Sequence, residues 1–475
     1  MVAAGPARRE RDARRLLRRA EDESERDLTA TDALELLRCP TCEGSLERDA
    51  AALRCPRCAK AFPILAGIPC LLPDPAAAIL EWRHGLADLE RIVAHGRDRL
   101  LADTTASVRR ASTRRRLEHL RNGLGAQLEQ IQSVFRGAGL ESRARPPAEA
   151  GAPAVGDTTL SYFHQIHRDW GWPDAEIEAA AIAIAEVCGK DPLGKTLFLG
   201  AGAARLVREL HLRQGASATI ALDINPLPFL VARKILDGET VRLTEIPNSP
   251  RSIDDVAVER TLGEGLEAVA NVTLVFGDAF SPPVARGAFD TVVTAWFVDQ
   301  VAPDAAELAP LVHALLRENG TWINHGPFVY PAARPVRARY TADELSEIAR
   351  DSGFDLDSTD IRRLTFMESP ACNQGRTERI LTFAARKVAL AAREETPSAE
   401  PAWLSDTSAP IPRLEAFRAR PLPHPFFTAV VALVDGARSI DAIAAEISRQ
   451  QRIPEDALRV AIRACLADLA REGSA

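Results

Sequence analysis

The chain has 475 residues, 46% of them hydrophobic and 26% charged, with a formal net charge of −7. That length is too great for one compact core and predicts roughly two to four domains of ordinary globular composition. The negative balance argues against a general affinity for nucleic acid or anionic membrane, and no run of about 18 apolar residues offers a bilayer span.

In chain order, residues 1–30 read as a charged helix or tail without the apolar stretch of a secretory signal. The expected location is therefore cytoplasmic, where the eight cysteines are reduced or metal-bound rather than paired. Residues 31–74 are a distinct unit. In "CPTCEGSLERDAAALRCPRC", Cys39, Cys42, Cys55 and Cys58 form two C-x-x-C knuckles separated by twelve residues. Each knuckle brings two thiolates to one ion, so the pair predicts a closed tetrahedral zinc site. A redox role competes, but paired C-P-x-C turns at ribbon spacing favour zinc. With "AFPILAGIPCLLPD" the segment resembles the zinc ribbons of tRNA-methyltransferase activator proteins. Cys70 reads as a small buried residue.

Residues 75–156 comprise an Arg-rich helical region ("RRASTRRRLEHLRNGL"), read as a solvated face rather than a binding patch, and a linker, "RARPPAEAGAPAVGD". From 157 to 388, the apolar runs "TLFLGAG", "ATIALDIN", "VTLVFGD", "FDTVVTAW" and "GTWINHG" follow one another, most of them separated by helical patterns. That order predicts a largely parallel sheet with helices on both faces and a site at the strands' carboxyl ends. "TLFLGAGAARLVREL" is a strand, a G-x-G turn and a helix, and Gly200 and Gly202 allow close approach of backbone to ligand. The next strand ends about twenty residues on in Asp223, suited to a ribose diol. Arg205 stands where a nicotinamide cofactor's third glycine belongs, so an adenosine ligand lacking a diphosphate, such as S-adenosylmethionine, fits better. Asp278, with Ala279 and Phe280, is placed for an adenine amino group. Trp296, Phe297 and Asp299 end the following strand.

Residues 160–388 resemble the carnosine N-methyltransferase family, S-adenosylmethionine-dependent enzymes that methylate an imidazole nitrogen. The matching segments are "FHQIHRDW", "GAGAARLVREL", "GDAFSP", "WFVDQVAP", "LLRENGTWINHGPFVY" and "YTADELSEIARDSGF". The resemblance implies a Rossmann-like class I methyltransferase sheet. It assigns Gln165 and Arg168 to the cofactor's methionine end, with Gly200, Ala201, Gly202 and Arg205 beside it. Asp223 and Ile224 go to the ribose, Asp278, Ala279 and Phe280 to the adenine, and Trp296 to the cofactor's neighbourhood. Asp299 corresponds to the acid that holds the acceptor imidazole, and Tyr330 lies on the acceptor side. The family expects a histidine after that tyrosine, where Pro331 stands, and a tyrosine cluster that "SPACNQGRTERILTF" lacks. His325 occupies a position that tends to be apolar in the family. At its strand end it either faces the transferred methyl and the acceptor or is a structural histidine at a turn.

Residues 389–420 form a second linker, and 421–475 read as a small winged-helix-like domain resembling the peptide chaperones of ribosomal-peptide biosynthesis. Six arginines against seven acids give that segment a net charge of −1, too acidic to neutralise DNA phosphates. The expectation is thus an α/β protein with a zinc ribbon before, and a winged-helix-like module behind, an S-adenosylmethionine-dependent N-methyltransferase of an imidazole. That acceptor is a histidine-containing peptide or a histidine-derived metabolite. A natural-product methyltransferase with another acceptor, or a non-catalytic cofactor-binding scaffold, are the alternatives. The partners this admits are a small-molecule or peptide substrate, a leader peptide or protein at the C-terminal domain, and a second copy in a homodimer. DNA and membrane are not among them.

Overall fold

The structure, a computed structural model, describes residues 31–49, 52–105, 110–144, 162–300, 304–331, 334–388, 402–413 and 430–451, with single positions between 455 and 466. The charged segment 1–30 and most of both expected linkers lie outside them. The chain divides into two units, 1–391 and 392–475.

The first unit opens with α1 (Thr31–Leu36) and a four-stranded ribbon of β1 (Glu47–Asp49), β2 (Ala52–Arg54), β3 (Ala61–Leu65) and β4 (Ile68–Pro69), joined in that order. Two long helices follow, α2 (Pro75–Thr105) and α3 (Ala111–Gly137), then α4 (Phe163–Trp170) and α5 (Ala175–Cys188). The alternating part runs β5 (Gly194–Leu199), α6 (Arg205–Arg213), β6 (Ala216–Asp223) and α7 (Pro226–Leu236). After it come the hairpin β7 (Val241–Glu245) and β8 (Val258–Leu262), β9 (Val272–Phe276), β10 (Phe289–Ala295) and α8 (Ala305–Leu315). The unit closes with β11 (Leu316–Gly326), α9 (Ala342–Asp351), β12 (Phe354–Phe366) and β13 (Arg376–Lys387).

Seven strands form one sheet in the order β12-β13-β11-β10-β5-β6-β9. Neighbours from β11 to β9 are parallel, whereas β13 runs antiparallel to both β11 and β12. A parallel core whose strand order, not strand direction, reverses at β5, with one antiparallel strand inserted near an edge, is the class I methyltransferase arrangement. Strand residues alternate faces, and the sheet accordingly divides two apolar cores. Phe198, Ala221, Leu274, Val293 and Ile323 face α2 to α7. Leu197, Leu199, Leu222, Val275 and Trp322 face α8, α9 and the ribbon.

The ribbon is part of this body. Leu71 N–H donates to the Phe276 carbonyl (2.8 Å), Arg38 N–H to Pro283 (2.8 Å), and Ala285 N–H to Leu36 (2.7 Å). The first of these, with the Cys70–Phe276 bridge, covers the end of the β9 edge, where open backbone groups would otherwise invite association; the other two hold the ribbon to the loop after β9. The β12–β13 hairpin, unforeseen in the sequence, projects beyond β11: Gly326 ends that strand opposite Leu381, while β13 begins five residues earlier at Arg376.

In the second unit the described helices include α10 (Ala402–Ser405) and α11 (Ile440–Gln451). Ile411, Val430, Ile440, Ile443, Ile447, Leu458, Ile462 and Leu466 make its separate core. Much of the expected winged-helix-like segment falls outside the described residues.

Candidate functional site

The four ribbon thiols converge. Their sulfurs lie within 4.8 Å of one another, with Cys39 to Cys58 at 3.6 Å and Cys42 to Cys55 at 3.4 Å. A tetrahedral zinc with bonds of about 2.3 Å separates its sulfurs by about 3.8 Å, so the donor set fits one such ion. Among the described residues no other group of three or more His, Cys, Asp or Glu side chains converges this way.

At the carboxyl ends of the strands a cavity of about 420 Å³ opens. Its first wall is the turn after β5. Gly200 has φ +70°, and a Cβ there would sit 2.1 Å from the Phe297 ring; Gly202 has φ +56°, and a Cβ there would meet nothing within 4 Å. Both positions favour glycine for their positive φ, Gly200 for want of room as well, and Gly202 lines the cavity with open space where a Cβ would stand. Asp223 ties the turn down: its Oδ2 accepts from Gly202 N–H (2.8 Å) and its Oδ1 from Asn225 N–H (2.9 Å). Burial raises the Asp223 carboxyl, and these N–H groups pull it back.

Helix α4 supplies the second wall. Trp170 donates Nε1–H to the Ala203 carbonyl (2.7 Å), which locks the helix to the glycine turn. Gln165 and Arg168, nearly one turn apart, line the cavity. Arg168 donates twice to Asp169 Oδ1 (2.8 and 2.7 Å), and its guanidinium lies 4.7 Å from the centre of the Trp296 ring.

Trp296 follows β10 with φ +48°, an outlier for a bulky residue. Its N–H donates to the His325 carbonyl (2.7 Å), which holds the turn that places the indole in the wall. Strained backbone of this kind collects at functional sites. Asp299 lines the same cavity and is almost wholly buried. Its Oδ2 accepts from Val329 N–H (3.0 Å) and Gln300 Nε2–H (2.9 Å), pinning the "GPFVY" loop. Burial raises this carboxyl too, and the two donors oppose the shift. Asp304, not Asp299, caps α8 through Ala306 N–H. Tyr330 lines the loop side and donates its hydroxyl to the Tyr340 carbonyl (3.0 Å).

Two expectations are corrected by geometry. His325 does not reach the cavity; it pairs across β11 and β13 with Thr382, whose hydroxyl lies 2.9 Å from Nδ1, and its ring meets Trp296 edge-on at 4.9 Å. Burial pushes this imidazole down to about 3, so it is a neutral support beneath the indole. Arg205 is turned to structure: it pairs with Glu209 (3.0 Å) and Asp174 (3.2 Å) and lies over Trp170, committing its charge to α6 and the start of α5.

Asp223, Ile224, Asp278, Ala279 and Phe280 lie at the ends of β6 and β9, beside but not lining the cavity. Ile224 is 50% exposed, and Asp278 Oδ1 accepts from Phe280 N–H (2.9 Å). Among the lining residues that the sequence reading did not single out are Tyr162, Phe366, Arg376 and Glu378. Burial raises the Tyr162 hydroxyl, and the Asp223 and Asp299 carboxylates add to the shift, so it stands in the field of both. The position of Tyr162, immediately before "FHQIHR", was a signal for it. The resemblance marked "SPACNQGRTERILTF" only by the tyrosines it lacks and gave no role to Arg376 or Glu378.

Residues 248–375 match the carnosine N-methyltransferase family model. The match spans Asp278, Trp296, Asp299 and Tyr330 and leaves out the glycine turn, α4 and Glu378. Residues 32–67 match the Trm112p-like protein model. A curated carnosine N-methyltransferase of Dictyostelium discoideum is 25% identical over 204 residues, which are 38% of this chain and 43% of that protein; the chain therefore spans less than half of that relative. Solved structures that align include a complex of the Haloferax volcanii Trm112 methyltransferase activator with a putative methyltransferase (15% identity, 50% of this chain, 100% of that one, TM-score 0.35). Another is Haemonchus contortus phosphoethanolamine N-methyltransferase 2 with S-adenosyl-L-methionine (14% identity, 50% and 59% covered, TM-score 0.33). No described helix is long and apolar enough to cross a membrane.

Proposed function

We propose that the chain is an S-adenosylmethionine-dependent N-methyltransferase whose acceptor is an imidazole borne by histidine, a histidine-containing peptide or a related metabolite. The observation that carries this reading is one cavity walled on one side by the Gly200–Gly202 turn with Arg168 and on the other by Asp299. The family match over residues 248–375 supports the same assignment. When bound, the cofactor supplies an electrophilic methyl on a sulfonium. The fit of such a ligand rests on the open face of Gly202 and on the charge-bearing α4 wall.

Gln165 and Arg168 hold the amino-acid end, where a guanidinium suits a carboxylate. Asp223 and Asp278 stand at the ribose and adenine. Trp296 and Tyr330 confine the acceptor ring and exclude water. Asp299 receives the acceptor's N–H, which fixes the tautomer and leaves the other ring nitrogen with its lone pair free. Its raised carboxyl is also suited to taking up the proton that the methylated ring sheds. Positioning supplies most of the acceleration, because a sulfonium needs little acid assistance. The four cysteines hold a structural zinc remote from this chemistry.

The test is release of S-adenosylhomocysteine by the full chain, followed with imidazole, carboxylate, phenol and simple amine acceptors. Turnover confined to imidazoles is expected. Turnover with another class alone would refute the acceptor assignment.

A further inference from the structure

Beside the orphaned His325 Nε2, two polar atoms of lining residues are buried without a partner among the described residues: Glu378 Oε2 and Trp296 Nε1. Buried polar atoms are nearly always satisfied, and an orphaned carboxylate oxygen is the costlier of the two. The Glu378 side chain is 6% exposed, and its other oxygen accepts from Arg376 Nε–H at 2.6 Å. Burial raises the carboxyl, and the Arg376 and Arg168 guanidiniums draw it back. Arg376 lies over the Phe366 ring at 4.7 Å and borders both this cavity and a second one of about 370 Å³ beside it.

The pair stands on the acceptor side. Both residues are in the overhang of β13, which is three strands from β5 and its glycine turn, with β11 and β10 between. At about 4.8 Å per strand that is roughly 14 Å. Charge narrows the ligand further. The charged lining residues are Arg168, Asp169, Asp299, Arg376 and Glu378, two positive against three negative, a sum of −1. A cofactor carrying a sulfonium, an ammonium and a carboxylate is +1 and balances it, so an acceptor of zero net charge is preferred over a cation. Because Glu378 and Arg376 are two apart on one strand and already touch, the acceptor's own charges must lie equally close together.

We infer that Glu378 and Arg376 form a clamp for an α-amino acid acceptor, Glu378 Oε2 taking its ammonium and Arg376 its carboxylate. This rests on the proposed function only in giving the glycine-turn side to the cofactor. It makes the preferred substrate a single amino acid rather than an extended peptide.

The experiment is calorimetry on the full chain saturated with sinefungin, whose ammonium in place of the methylsulfonium keeps the cofactor's +1 charge, titrated with imidazole, histamine, imidazolepropionate and L-histidine. L-Histidine should bind at least about tenfold more tightly than either one-charge analogue, the worth of one charge-assisted bond. In Glu378→Gln, L-histidine should fall to the level of imidazolepropionate, and in Arg376→Gln to that of histamine. S-Adenosylhomocysteine affinity should stay within about twofold in both, since the clamp gives neither residue a bond to it, even though Arg168 and Arg376 pack on the same Phe366 ring. Equal binding along the wild-type series would overturn the clamp while leaving the imidazole reading standing, and needs no variant to fold. A large loss of S-adenosylhomocysteine affinity in Glu378→Gln would overturn it differently, by assigning Glu378 to the cofactor's ammonium. A parallel series of phenethylamine, phenylpropionate and L-phenylalanine separates the two readings. If L-phenylalanine is preferred over its analogues and L-histidine gains nothing over it, the clamp stands and the imidazole assignment fails.

Discussion

Gly200 and Gly202, two residues apart in one turn, should fail in opposite ways when each is replaced by alanine. Both have positive φ, so each alanine bears the roughly 1–2 kcal/mol of a left-handed L-residue. At Gly200 the new Cβ would also lie 2.1, 2.6 and 3.1 Å from three carbons of Phe297, whose ring is buried and stacks with Phe280. Moving that ring adds the roughly 1–3 kcal/mol of an overpacked core. Gly200→Ala should therefore lower the stability of the first unit by about 2–5 kcal/mol in urea denaturation. At Gly202 the Cβ meets nothing within 4 Å, so about 1–2 kcal/mol is the whole structural cost. That methyl instead occupies the face proposed for the cofactor, and S-adenosylhomocysteine binding by calorimetry should weaken by about tenfold or more. If Gly202→Ala binds as the wild type does, the cofactor does not lie against this turn. If Gly200→Ala is as stable as Gly202→Ala, the Phe297 contact is not what selects glycine there.

Cys55→Ser should remove zinc from freshly purified protein by elemental analysis and loosen the ribbon, because binding and folding are coupled in such small units; retained stoichiometric zinc would contradict a four-thiolate site. Asp299→Asn should keep S-adenosylhomocysteine affinity within a few-fold but lower turnover by roughly 10²–10⁴, and loss of cofactor binding with turnover proportional to occupancy would move Asp299 to the cofactor. His167 and His325 are both pushed down to about 3 by burial. The unfolded chain, with histidines near 6.5, binds the extra protons, so stability is fully present above about 6.5 and is lost as pH falls toward 3. Each histidine should lower urea stability at pH 5 by about 2 kcal/mol relative to pH 8, while the raised Asp223, Asp299 and Glu378 carboxyls act in the opposite sense; a His325→Gln profile with the wild type's slope would contradict a buried neutral ring.

The parts legible in the sequence are those whose chemistry is local. Two C-x-x-C knuckles state their own ligand set, and the glycine turn with Asp223 reads directly because adjacent parallel strands bring them together. The rest depends on register and overhang. His325 was placed on the site's lip because its strand ends there, but the pairing with Thr382 turns the ring under Trp296. Arg205 occupies a ligand-facing place in the motif and is taken by Glu209 and Asp174. Glu378 was invisible because it stands in a polar run, "RTER", that reads as an exposed strand end, and only the length by which β12 and β13 outrun β11 brings it to the cavity. The left-handed backbone of Trp296 likewise has no sequence mark, because it is imposed by its hydrogen bond to the His325 carbonyl.

The central claim is tested most directly by finding where the methyl goes. The full chain incubated with S-adenosylmethionine labelled as a trideuteromethyl donor, together with L-histidine, should yield a product whose tandem mass spectrum places one trideuteromethyl group on a ring nitrogen. Asp299→Asn should abolish most of that product. A label found on the α-amino group or the carboxylate, or no labelled product from any imidazole compound, would contradict the account.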